Sequence, residues 1–131
     1  MIGLDTNVLV RYFAQDNVEQ AKKATDLIES LTADRPGYVN QVALVEVVWV
    51  LARAYGLERA EIAQVIETAL RTKELLIEAS EIVWKALRLY TASSADFADC
   101  LIERTCHEAG CDYTATFDKT AAKTAGMRLI K

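Results

Sequence analysis

The chain has 131 residues, 52% of them hydrophobic, with one proline and five glycines, a composition that fits one globular domain over residues 1–131 with a continuous core and no long linker. Fifteen Lys and Arg stand against 19 Asp and Glu, a formal net charge of -4, which excludes a protein that grips nucleic acid through bulk positive charge. No charged-then-apolar leader opens the sequence, and its longest apolar stretch, residues 42–54, is broken by Glu46 and Arg53 and is too short to span a bilayer, so a cytoplasmic protein with no membrane contact is expected.

The first apolar run, Met1 to Leu4, ends on Asp5-Thr6-Asn7. It reads as a short buried strand with an acid at its carboxyl end, the place where open α/β sheets bind ligands. Two roles are open to Asp5: to cap the helix beginning at Val8, or to carry chemistry. Residues 17–31 set Val18, Ala21, Ala24, Leu27, Ile28 and Leu31 at three- and four-residue spacing, a helix with one apolar face. A turn through Pro36-Gly37 leads to a brief strand at Tyr38-Val39, after which Asn40 can cap the next helix.

In that helix, residues 42–52, every position is apolar except Glu46. A helix apolar all round must be covered on more than one side, which points to a partner copy, and it takes Glu46 into the interior. A buried carboxylate needs a cation, a metal or a raised pKa, so Glu46 either pairs with a base such as Arg53 or serves a metal. Residues 57–70 form the second arm of a helical hairpin after Tyr55-Gly56, Leu75 to Ile77 a strand, and Ser80 to Tyr90 another amphipathic helix without a chemical pattern.

Chemistry returns at residues 93–104, where Asp96 and Asp99 share a helix face and repel each other unless a cation intervenes. Ser93-x-x-Asp96 also has capping-box spacing, whereas Asp99 has no capping role to explain it. Residues 112–118 run as a strand into Asp118, repeating the placement of Asp5, and are followed by a helix at 119–124 and a last strand at 128–130. Short apolar strands alternating with helices predict an α/β three-layer sandwich with a parallel sheet. Acids at strand ends then make an oxygen-rich site suited to Mg²⁺ or Mn²⁺. The three cysteines, at 100, 106 and 111, match no zinc or redox spacing, and the single histidine, His107, excludes a metal-free ribonuclease built on two histidines.

Asp-Thr-Asn at the first strand end, Glu46 in an apolar helix, Asp-Phe-Ala-Asp opening a later helix and Thr-Phe-Asp at a late strand end resemble, in that order, the PIN-domain nucleases, above all the toxins of VapBC-type toxin–antitoxin pairs. The resemblance covers essentially the whole chain. It implies strand order 3-2-1-4-5, a homodimer and inhibition by an antitoxin protein. Asp5, Glu46, Asp99 and Asp118 match the family's acids, Asp96 an additional metal-binding acid one turn before Asp99, and Asn7 and Thr116 the supporting polar positions. Asn40 departs from the Ser or Thr of many relatives.

The implied activity is metal-dependent endonucleolytic cleavage of RNA, with Asp5, Asp99 and Asp118 as ligands and Glu46 as a proton acceptor or a ligand through water. Arg11, Arg104, Lys119 and Lys123 are candidates to meet RNA, and each equally suits ordinary ion pairing. Three alternatives stand: a PIN-like RNA-processing nuclease without an antitoxin, a non-catalytic metal- or RNA-binding module, and a haloacid-dehalogenase-like phosphatase, which would want Asp where Asn7 stands.

Overall fold

A computed structural model describes residues 1–131, which pack as two compact units, Met1–Glu78 and Ala79–Lys131. The first unit is built on three parallel strands, β1 (Ile2–Gly3), β2 (Gly37–Val39) and β3 (Leu75–Ile77). They lie side by side in the order β1-β2-β3. The register pairs Ile2 with Gly37 and Gly37 with Leu75. Gly37 lets the strands and their leucines approach closely, since a Cβ would meet side-chain methyls of Leu31 and Leu4 at 2.8 Å and oblige them to shift.

Helices supply the parallel crossovers. α1 (Thr6–Ala14) and α2 (Val18–Glu29) separate β1 from β2, and α3 (Gln41–Arg53) and α4 (Arg59–Arg71) separate β2 from β3. Each helix buries one stripe: Ala21, Ala24 and Ile28 on α2, Ala43, Leu44, Val47 and Leu51 on α3, Ile62, Ile66 and Ala69 on α4. α2 starts where the Asn17 side chain accepts the Gln20 N–H at 3.0 Å. Val18, expected on its apolar face, is open to solvent, because it lies in the first turn, ahead of the buried stripe of Ala21, Ala24 and Ile28.

The second unit contains α5 (Ser80–Ala92), α6 (Phe97–Glu108), β4 (Ala115–Thr116), α7 (Lys119–Thr124) and β5 (Arg128–Leu129). α5 and α6 pack on Val83, Ala86, Leu87, Tyr90, Phe97, Cys100 and Leu101, all buried. The Tyr90 and Phe97 rings meet edge-to-face at 5.7 Å. β4 and β5 pair in parallel, Ala115 with Arg128 and Thr116 with Leu129. The ladders thus contain the orders 3-2-1 and 4-5 as two separate sheets. The strand expected over residues 112–118 shortens to Ala115–Thr116. All three cysteines are free, and only Cys100 is buried. No helix is long and apolar enough to cross a membrane.

Candidate functional site

At the carboxyl ends of the three parallel strands of the first unit stand Asp5, Asn40 and Glu78, brought level by the register that pairs Gly3 with Tyr38 and Val39 with Ile77. Two of them have structural work. The Asn40 side chain accepts the Ala43 N–H at 2.8 Å and Glu78 Oε1 accepts the Gln41 N–H at 2.8 Å, so both cap α3. Asp5 occupies the N-cap position of α1 in extended conformation, yet its carboxylate makes no cap hydrogen bond. Its carbonyl alone receives the Val8 and Leu9 N–H groups, at 3.1 and 3.3 Å. Of the two roles open to Asp5, side-chain capping is therefore removed, and an exposed carboxylate is left at a strand end and a helix N-terminus. Asn7 follows on the exposed side of α1 and lines a cavity of about 450 Å³ with Val8, Arg11 and α2 residues.

Glu46 differs from expectation. It is exposed, not buried. With 3.6 residues per turn, the stripe Ala43, Leu44, Val47 and Leu51 faces the core and carries Val42, Glu46, Trp49 and Arg53 onto the opposite side. There is no dry environment to demand a counter-ion, and Arg53 lies over the Trp49 ring at 5.3 Å instead of pairing with Glu46. Val42 and Trp49 remain 69% and 57% exposed in the single chain, so the apolar cover that the sequence calls for is incomplete. Arg11 is already engaged by Asp16 at 3.0 Å, Gln20 at 2.7 Å and the Tyr55 hydroxyl at 3.1 Å.

The second unit gathers Asp96, Asp99 and Asp118. Asp96 is the N-cap of α6, its Oδ1 accepting the Ala98 and Asp99 N–H groups at 2.8 and 3.4 Å. This corrects the capping box expected from Ser93: the Ser93 hydroxyl closes α5 by donating to the Leu89 carbonyl at 2.6 Å and accepts the Ala95 N–H at 3.2 Å. Asp118 caps α7 in the same way, with Oδ1 receiving Thr120 and Ala121 N–H at 2.8 and 3.1 Å. Thr116 Oγ1 accepts the Asp118 N–H at 3.0 Å, which orients this acid from β4.

Asp99 caps nothing. It is half-buried, and burial, then Asp96, then Asp118 push its carboxyl above the ordinary range. No lysine or arginine of residues 79–131 pairs with any of the three acids. A divalent cation would offset this repulsion, and the donor set is all hard oxygen, which fits Mg²⁺ or Mn²⁺ and not zinc. No three Asp, Glu, His or Cys side chains close around a single point. Glu78 carries no signal in the sequence, because its capping bond spans 37 positions in the chain. Nor do Lys85 and Arg88, which line a groove with Arg104 and Lys123.

Comparison with known proteins brings out two likenesses. The PIN domain family matches residues 2–127. A VapC ribonuclease of Aquifex aeolicus (strain VF5) is 28% identical over 99 residues, 75% of this chain and 73% of that protein.

Proposed function

The chain belongs to the PIN-domain family, and from that membership we propose that it is a Mg²⁺- or Mn²⁺-dependent endoribonuclease, the toxin of a VapBC-type pair. The observation that carries this reading is the state of Asp99: a half-buried carboxylate beside Asp96 and Asp118, raised by burial and by both neighbours, with no cation of its own unit to balance it. Such an arrangement costs stability and is accounted for by an ion that the acids exist to hold. Likeness to a VapC ribonuclease supports RNA as the substrate and an antitoxin as partner. The exposed Val42 and Trp49 support a homodimer. On this reading residues 1–131 act as a single PIN domain in the cytoplasm.

The residues divide the work by what their local structure leaves free. Asp5, which caps nothing through its side chain, has both oxygens available to a metal. Asp118 and Asp96 spend Oδ1 on their helices and keep Oδ2. Asp99 adds the carboxylate whose charge most needs neutralising. When bound, a divalent ion supplies an activated water and offsets charge on the departing oxygen of the phosphodiester. Glu46, standing in solvent, accepts the proton of the attacking water or holds a ligand through water. Thr116 orients Asp118 through its backbone N–H, and Asn7 is the supporting polar residue two positions after Asp5.

The test is cleavage of single-stranded RNA by the purified chain in Mg²⁺, in Mn²⁺ and in EDTA, with a phosphomonoester as control. Cleavage with either ion, its loss in EDTA and its loss in a folded Asp5→Asn variant are expected. Metal-independent cleavage, full activity of Asp5→Asn, or hydrolysis of the monoester alone would overturn the reading.

A further inference from the structure

The second unit carries a basic groove that the acidic site does not account for. Residues 79–131 hold seven acidic and seven basic side chains, so the whole formal excess of negative charge lies in residues 1–78. Within the second unit the charges are segregated. Lys85 and Arg88 of α5, Arg104 of α6 and Lys123 of α7 line one groove of about 810 Å³, with Glu103 as its only acid. Lys85 is paired with Glu108 and Arg104 with Glu103. Arg88 and Lys123 have no acidic partner, and both are exposed. A cation in the last turn of α7 has a reason in the helix dipole, which explains Lys123 in isolation. It explains neither Arg88 nor Arg104, which stand before the last turns of their helices.

Two of the groove cations share their helices with the acids. Arg104 follows Asp99 by five residues on α6, and Lys123 follows Asp118 by five residues on α7. Each interval is roughly 7.5 Å of helix at 1.5 Å per residue. The charge of Asp118 reaches Asp99, and Arg104 and Lys123 line one groove. The two helices therefore place acids near their N-terminal ends and bases nearly a turn and a half further on, rotated by roughly 140° about each axis, so the groove lies on a different face from the acids, none of which lines it. We propose that this groove binds the phosphate backbone of single-stranded RNA, holding a stretch of the strand that lies outside the acidic site. The proposal rests on the nuclease reading for its purpose. Its physical content, a polyanion held by Arg88, Arg104 and Lys123, is independent of cleavage. Local cations of this kind resolve how a chain with a net charge of -4 meets a polyphosphate.

The experiment measures binding of a fluorescent single-stranded RNA oligonucleotide by anisotropy, in EDTA, over a range of salt. The proteins are the 131-residue chain, the double variant Arg88→Ala/Lys123→Ala and the charge-keeping Arg88→Lys/Lys123→Arg. Each phosphate contact on a single strand contributes about 0.7 to the slope of log K against log salt. Loss of two should make the slope shallower by about 1.4 and raise Kd on the order of tenfold near 0.15 M salt. The charge-keeping variant should bind within a factor of about two of the parent, and melting curves check that all three proteins are folded. An unchanged slope and Kd in the folded double variant, or no RNA binding by the parent chain at low salt, would overturn the proposal. Tighter binding of an acidic peptide than of RNA, lost in the same variant, would assign the groove to a protein partner and overturn it as well. Absence of cleavage by the parent with any divalent ion, while the binding slope behaves as expected, would refute the nuclease reading and leave the groove standing.

Discussion

Replacing Asp99 by Asn should stabilise the metal-free protein and abolish its response to Mg²⁺. The substitution keeps the shape of the side chain and removes one charge from a half-buried site flanked by Asp96, three residues earlier, and by Asp118. A like-charge pair at this helical spacing costs about 0.2–0.5 kcal/mol. With a second acid nearby and solvent screening of the exposed partners, relief of about 0.5 kcal/mol is expected. At roughly 2.1 cal/mol/K per residue the unfolding entropy of this chain near its midpoint is about 275 cal/mol/K, so Tm should rise by about 2 °C in EDTA at pH 7. The sign reverses with Mg²⁺. An ion present at ten times its Kd stabilises the parent by about 1.4 kcal/mol, or roughly 5 °C, and should do little for the variant. The dependence on pH follows from the direction of the shift. Because the folded carboxyl sits above its ordinary value, the native state binds protons more readily than the unfolded chain, and the penalty is present above the folded pKa. The gap between variant and parent should be full at pH 7 and shrink as pH falls through the folded pKa into the ordinary carboxylate range. Differential scanning calorimetry in EDTA and in Mg²⁺ gives all these numbers. A variant that melts at or below the parent in EDTA, or a parent indifferent to Mg²⁺ and Mn²⁺, would refute the argument that these acids are held against repulsion for a cation.

Asp118→Ala removes a cap that accepts two N–H groups and should lower stability by about 1 kcal/mol, read by urea denaturation, whereas Asp118→Asn should lose activity at nearly unchanged stability. Trp49→Glu, on the exposed stripe of α3, should convert a dimer to a folded monomer, seen as a halved mass in sedimentation. Leu51→Glu, at a core position 1% exposed, should instead unfold the chain, as its circular dichroism would report.

Most of the local structure is written in local interactions. The helices follow from apolar spacing, and their starts from Asn17, Asn40 and the late strand-end acids, because a cap is decided within three residues. The acids of interest, Asp5, Asp96, Asp99 and Asp118, were legible from order and context. The alternation of strand and helix made parallel pairing legible, and the strand order was available only through the family resemblance, of which the structure shows the ladders 3-2-1 and 4-5. What each carboxylate is free to do was not legible. Asp5 and Asp118 look alike as acids ending short strands, yet Asp118 turns its Oδ1 onto α7 while Asp5 leaves capping to its backbone. The burial of Glu46 was misread for a related reason. Composition states how apolar a helix is, but only packing against neighbouring helices decides which 3.6-residue stripe is covered, and the covered stripe is Ala43, Leu44, Val47 and Leu51. The groove, likewise, joins basic residues separated by up to 38 positions, Lys85 to Lys123. A charge in sequence is a number with a neighbour on either side, and its electrostatic partners are set by distance in space, which the tertiary structure alone decides.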